Sequence, residues 1–303
     1  MESKKNHQVS GKIKLTMSGE ALSHELSLEK ALELTRSHDI HYFELWAQNC
    51  EPVCGNVHPR LYLNRDIPKA KKQLADVGVE VACVAFGGAF HQEIVDDHAF
   101  YSRELIRTIE IAADLRAGFV NHYINLISPQ FEIEFDVLDR YLLDALRRAE
   151  QLGVVMVLEN EAHDITHTPE KVLQIINHFS SDHFRLNLDS TNFYQAGVEA
   201  FPHAYEVLKD VIRYVHIKNG CIFNPEAGHL DAWKGGKMSG HLSNHQIYYT
   251  LPDQGAVNIV GLINKLRSDA YNGFLTLEPH SSLENVISYY DVAIPFMRES
   301  GIY

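Results

Sequence analysis

The sequence predicts a single-domain (β/α)8 TIM barrel of the α/β class. Three observations lead there. Eight short apolar runs alternate with helical segments, and no linker divides the 303 residues. Such alternation builds a parallel sheet, because each return to the sheet needs a covering helix. Four consecutive late strands end in ionisable residues, which suits the mouth of a closed barrel, where strand C-termini converge. The fold-level alternative is an open doubly wound sheet. Neither GxGxxG after the first strand nor GxxxxGK[ST] is present, so nucleotide binding has no support.

Ile13 to Met17 reads as the first strand. Leu28 to Ser37 follows as a helix, with Leu28, Ala31, Leu32 and Leu34 at helical spacing and Ser27 placed as its cap. His41 to Trp46 is strand two, with Tyr42, Glu44 and Trp46 on one face. A helix over Asp66 to Val77 stops at Gly78, and Val79 to Phe86 is strand three. Asp97 to Arg116 is a long helix, Gly118 to Leu126 strand four, and Phe135 to Leu152 a helix stopped by Gly153. Val154 to Glu159 is strand five. Thr168-Pro169 then opens a helix reaching Phe179. Phe184 to Asp189 is strand six, Phe201 to Ile212 a helix, and Arg213 to Asn219 strand seven. Gly220 to Val257 interrupts the rhythm as a long loop, the kind that serves as lid, specificity loop or subunit contact. It carries His229, Trp233, Lys234, Lys237, His241 and His245. Asn258 to Ser268 is a helix, Gly273 to Glu278 strand eight, and Leu283 to Glu299 the closing helix.

Composition bounds the function. The chain is 45% hydrophobic and 22% charged, as globular proteins are. A formal net charge of -13 argues against nucleic acid or anionic membrane as partner, since both call for basic patches. No apolar run nears the ~20 residues of a membrane span. The opening MESKKNHQVSGK has no apolar signal core, so a cytoplasmic location is expected. Cys50, Cys54, Cys83 and Cys221 are too few for a disulfide framework. Cys50 and Cys54 have the look of half a zinc site, but no second pair completes it, and free thiols are expected.

The polar strand ends carry the chemistry. Strand five ends in Glu159, strand six in Asp189, strand seven carries His216, and strand eight ends in Glu278. Their neighbours Leu158, Leu188, Ile217 and Leu277 point the other way. Three carboxylates in one small mouth repel by several kcal/mol at an effective dielectric near ~20. One divalent cation on Glu159, Asp189, His216 and Glu278 relieves that. Mixed oxygen and nitrogen ligands suit Mn²⁺, Co²⁺ or Mg²⁺ better than structural Zn²⁺. The alternative is a hydrogen-bonded carboxylate–His–Lys cluster in a barrel that binds without catalysing.

The runs VLEN, NLDSTNF, YVHIKN and LTLEP resemble the motifs of the sugar phosphate isomerase/epimerase family, within the xylose-isomerase-like barrel superfamily. The resemblance extends from FEL in strand two to LPDQGAVNIVGLINKL before strand eight. It implies one divalent metal, commonly Mn²⁺, on Glu159, Asp189, His216 and Glu278. It also implies the two glutamates as the acid–base pair, as in ketose 3-epimerases. The chain departs from the family pattern in four places. Asn192 stands where Asp-x-x-His is usual, Asn219 ends the His-x-Lys-Asp run, and Glu161 replaces the His of Glu-Asn-His. No arginine follows shortly after His216, where ketose 3-epimerases use one on substrate. The same fold and metal set serve inosose dehydratases, dehydroshikimate dehydratases and C-glycoside-cleaving deglycosidases.

The expected function is therefore a divalent-metal-dependent sugar isomerase or epimerase. It would abstract a proton beside a carbonyl and stabilise the enediolate. The alternative is a lyase working by the same enolisation on a 3-keto sugar or cyclitol. Lys218 is a candidate for the developing oxyanion, and His122 on strand four for a general acid or base. Glu44, Trp46 and Asn192 are candidate substrate contacts. A sugar-like small molecule is the expected partner. The resemblance implies a homo-oligomer and leaves room for a second type of subunit. Endonuclease action at abasic DNA, known in a related barrel family, is disfavoured by the acidic charge and the single-metal ligand set.

Overall fold

A computed structural model of the chain describes residues 12–23, 25–55, 57–88, 97–124, 132–229, 234–237, 246–280 and 283–303. Eleven strands are present among them. They are β1 (Lys14–Ser18), β2 (Tyr42–Trp46), β3 (Glu80–Phe86), β4 (Phe119–His122), β5 (Val155–Glu159), β6 (Phe184–Asp189), β7 (Ile212–Ile217), β8 (Asn219–Ile222), β9 (Lys234–Lys237), β10 (Gln246–Thr250) and β11 (Phe274–Leu277). The helices are α1 (Leu28–Ser37), α2 (Ile67–Val77), α3 (His98–Leu115), α4 (Phe135–Leu152), α5 (Pro169–Phe179), α6 (Ser190–Gln195), α7 (Tyr205–Leu208), α8 (Ile259–Ser268) and α9 (Leu283–Glu299).

Eight of the strands close into a parallel barrel in the order β1-β11-β7-β6-β5-β4-β3-β2. The open-sheet alternative is thereby excluded. The caps expected at Ser27 and Thr168 are in place, and Asp66 and Asp97 add two more. Ser27, Asp66, Asp97 and Thr168 accept hydrogen bonds from the first turns of α1, α2, α3 and α5. Gly78 and Gly153 end α2 and α4 with φ of 70° and 69°, where a Cβ would be strained.

Two stretches differ from the sequence reading. The segment expected as one helix over Phe201 to Ile212 is a π-type turn, Ala200–Ala204, followed by the short α7. A helix not foreseen, α6, starts immediately after β6, because the Asp189 Oδ1 accepts from the N–H groups of Thr191 and Asn192. The segment 220–257, expected as a loop, holds most of a second sheet, three strands in the order β8-β10-β9. That sheet is fastened to the barrel beside β7. The Asn219 side chain donates to the carbonyls of Pro252 and Val257 and accepts from the Val257 N–H. Gly255 packs so closely on Asn219 that any Cβ there would collide with it. Trp233, His241 and His245 lie outside the described residues, as do the side chains of Lys234 and Lys237.

Inside the barrel the side chains stack in levels. The lower level is apolar and aromatic: Tyr42, Phe119, Val155, Tyr214 and Phe274 pack with Cys83 and Val157. Two residues further along β5 and β7 the same face turns polar, at Glu159 and His216. A one-residue bulge sets this register: Leu186 pairs with Ile212 but Asn187 with Tyr214, so the exposed Arg213 is skipped and His216 comes to lie beside Asp189.

Candidate active site

Glu159, Asp189, His216 and Glu278 meet at the C-terminal mouth, their ligand atoms all within 4.8 Å of one another. All four are at most 2% exposed. His216 is the hub. Its Nε2 lies 2.8 Å from Glu44 Oε2, and its Nδ1 lies 3.1 Å from Glu159 Oε1 and 3.3 Å from Glu278 Oε2. The Lys218 Nζ lies 2.7 Å from Asp189 Oδ2 and 2.8 Å from Glu278 Oε2.

The carboxylates of the cluster are held from behind. Asn121 and Asn187 donate to Glu159 Oε2 at 2.6 and 3.3 Å, which leaves Oε1 for the cluster. Asp189 spends Oδ1 on the α6 cap and presents Oδ2. The Asn160 side chain brackets the Asp189 backbone, accepting from its N–H at 2.9 Å and donating to its carbonyl at 2.8 Å. Glu44 accepts from Ser18 Oγ and Trp46 Nε1, so its other oxygen fixes the imidazole. Metal-binding histidines are oriented by this kind of carboxylate partner.

Charge in the cluster is unbalanced. Four carboxylates (Glu44, Glu159, Asp189, Glu278) face two basic groups (His216, Lys218) with almost no water access. Burial opposes the charge on His216, but Glu159, Glu278 and Glu44 outweigh it and hold the imidazole well above its usual pKa. Burial likewise opposes the Lys218 charge, and Asp189 and Glu278 override it. Glu278, between those two cations, sits well below the usual carboxylate range despite its burial. Burial pushes Asp189 up. Two negative charges remain even with the imidazole protonated. A hard divalent cation fits this donor set of three carboxylates and one imidazole.

Above the cluster opens a cavity of about 220 Å³. Glu159, Asn192, Lys218 and Glu278, all candidates named from sequence, line it. Residues not foreseen complete its wall: Glu20 and Arg60, Tyr123, Glu161, His163 and Gln195, Tyr249 and His280. Tyr249 comes from the second sheet and stacks on His280 with ring centroids 4.9 Å apart. The signal for Glu161 and His280 was their place two residues beyond Glu159 and Glu278. Arg60 and Tyr249 gave no local signal.

Three candidate residues are corrected. His122 does not face the mouth. It points to the helix layer and packs edge-on against Phe184 at 5.4 Å, while Asn121 takes the inward position. Burial lowers its pKa to about 3, so it stays neutral. Glu44 and Trp46 do not line the cavity. Both are at most 1% exposed, and the Arg60 guanidinium covers the Trp46 ring at 5.6 Å. Glu44 serves His216 instead. Asn192 lines the cavity, with its amide donating to the Asn160 carbonyl at 2.9 Å. Cys50 and Cys54 are free, and burial pushes the Cys50 thiol up to about 12.

No helix among the described residues is long and apolar enough to cross a membrane. Residues 32–299 match the family described as xylose isomerase-like TIM barrel. No curated protein matches the chain. Solved structures align over nearly the whole length. The probable 3-DHS dehydratase AsbF from Bacillus anthracis aligns at TM-score 0.66 and 14% identity, covering 94% of this chain and 99% of that one. The 3-keto-D-glucoside 4-epimerase YcjR from E. coli aligns at 0.64 and 17%, covering 95% and 100%. The IolI protein with a bound zinc atom aligns at 0.65 and 19%, covering 95% and 96%. At these identities the likeness shows the fold alone.

Proposed function

Because the chain belongs to the xylose isomerase-like TIM barrel family, we propose that it is a divalent-metal-dependent isomerase or epimerase of a sugar or sugar derivative. One observation carries the reading: three carboxylates and an imidazole converge within 4.8 Å beneath a polar cavity, with surplus negative charge. Glu159, Asp189, His216 and Glu278 would hold the cation, Mn²⁺ before Co²⁺, Mg²⁺ or Zn²⁺. The zinc in the IolI structure is consistent with such a site in this fold. Bound there, the metal would supply Lewis acidity toward a ketone oxygen and an adjacent hydroxyl.

The chain's own groups account for the rest. Glu159 on β5 and Glu278 after β11 are separated in the barrel by β6 and β7, so they address a bound ketose from two sides. One removes the proton beside the carbonyl, and the other returns it to the opposite face. Lys218 sits against Glu278 and tempers the charge that builds on the substrate oxygen. Glu44 keeps the His216 ring in its plane.

A second reading is a dehydratase using the same proton abstraction with loss of a β-hydroxyl. The alignment with AsbF, at a TM-score of 0.66, favours keeping it. Incubation of metal-loaded protein with ketoses and 3-keto glycosides in D₂O separates the two. Deuterium beside the carbonyl with every heavy atom retained supports the first. Loss of water with rising ultraviolet absorbance supports the second. Neither event with any ligand, in protein proven to hold metal, sinks both.

A further inference from the structure

We propose that Glu20 and Arg60 clamp a vicinal diol of the substrate, so that the cavity takes ketoses extended by at least two hydroxylated carbons beyond the reacting pair. The inference rests on the reading of this cavity as the substrate site.

Arg60 is held rigidly. Its neighbours Leu61 and Tyr62 are at most 3% exposed, and the Tyr62 hydroxyl donates to the Leu45 carbonyl at 2.8 Å. The Arg65 guanidinium donates to the carbonyls of Cys50 at 2.9 Å and His58 at 3.0 Å, which ties down the loop between β2 and α2. The Arg60 stem packs against Gly87, where a Cβ would come within 3.0 Å of Arg60 Cδ and 3.2 Å of the Trp46 ring. The guanidinium resting over that ring has its plane fixed.

Glu20 holds the fork from the other side, through its ion pair with Arg60 Nη1. Its own backbone is anchored past the end of β1, where its N–H donates to Ser18 Oγ at 3.3 Å and its carbonyl accepts from Ser23 Oγ at 2.7 Å. Among the described residues, Arg60 Nε and Nη2 and Glu20 Oε2 have no hydrogen-bond partner, and both side chains line the cavity. A Glu20 carboxylate oxygen lies within 4.8 Å of ligand-type atoms on Glu278 and His280. A ketone and hydroxyl held at the cluster would therefore bring the next carbons of the chain against this pair. Two unused donors in a fixed fork match oxygens on adjacent carbons, and the unused carboxylate oxygen accepts a hydroxyl proton. Each hydrogen bond to a charged group is worth roughly 10- to 100-fold in affinity. A shorter ketose leaves those groups unpaired, which discriminates against it.

The test uses metal-loaded full-length protein and ketoses that share the ketone and its adjacent hydroxyls. Dihydroxyacetone ends there, whereas D-ribulose, D-xylulose and D-fructose carry the further diol. Binding is read by calorimetry, and enolisation by deuterium uptake beside the carbonyl. The proposal expects at least one longer ketose to bind ~30-fold tighter than dihydroxyacetone, or more. Arg60→Met should shrink that gap about tenfold, with dihydroxyacetone affinity and metal content unchanged. Glu20→Gln should shrink it about threefold, and it decides the matter where Arg60→Met does not fold. Absence of any gap in the wild type overturns the proposal, as does a gap that the folded variants leave intact. An equal loss of affinity for dihydroxyacetone also overturns it, because Arg60 would then only support the wall. The expected gap without deuterium exchange leaves the clamp standing and contradicts the enolising reading. Failure of every ketose to bind removes both.

Discussion

The floor and the mouth of the barrel are built from the same strands, two residues apart, and obey opposite rules. On β5 the step is from Val157 to Glu159, and on β7 from Tyr214 to His216. At the floor, rings meet edge-on or tilted, as Tyr42 meets Phe274 at 5.0 Å and Phe119 meets Tyr214 at 5.6 Å. Burial there is favourable throughout, and Tyr214 accepts a hydrogen bond from Thr276 Oγ1 at 2.6 Å. At the mouth, side chains just as buried carry charge in excess of their partners. The floor holds the barrel together, whereas the mouth gathers the unbalanced charge that the proposed cation site and base pair would require.

Substitutions sharpen that contrast. The largest effect belongs to the mouth: Glu278→Gln should lower turnover about 10³-fold, since it would remove the proposed base and a proposed ligand together. The melting temperature of Asp189→Asn in chelator should equal or exceed the wild type, because burial pushes the Asp189 carboxyl up and its charge opposes the fold. A marked loss of stability would erase the distinction. Next comes the floor. Tyr214→Ala should cost about 3–5 kcal/mol in urea unfolding, with one metal site per folded molecule still present.

Outside the barrel wall, His122 tests burial without function. Its folded-state pKa is lowered from 6.5 to about 3, so the unfolded chain takes up the proton first. Its contribution is complete above about pH 6.5, shrinks as the pH falls, and levels off near pH 3. His122→Leu should flatten that part of the stability profile by on the order of a few kcal/mol, with turnover at pH 7.5 nearly unchanged. A large loss of turnover would return His122 to the chemistry. Smallest is Glu44→Gln, which should weaken metal binding about 10–100-fold by titration while the cavity stays intact.

Much of this was legible from sequence. The four polar strand ends stood out because Leu158, Leu188, Ile217 and Leu277 alternate with them, and a strict period of two fixes a face. In β4 that cue fails: Asn121 and His122 are both polar, and only the packing of His122 on Phe184 shows which one turns outward. Glu44 was placed on the correct interior face but given the wrong partner, because its partner His216 is 172 residues away. The second sheet escaped notice because its strands have four or five residues, one of them the glycine-containing Asn219–Ile222. The Arg60 and Tyr249 contributions depend wholly on tertiary placement, which no local pattern encodes.

The central claim is that the mouth binds one divalent cation through Glu159, Asp189, His216 and Glu278. Elemental mass spectrometry of the purified protein, followed by Mn²⁺ titration of chelator-treated protein, tests it directly. The account predicts one tight site per chain, lost or weakened at least tenfold in Asp189→Asn. A wild-type protein that carries no metal and takes up none would contradict it, leaving His216 and Lys218 as the only cations among those carboxylates in the described structure.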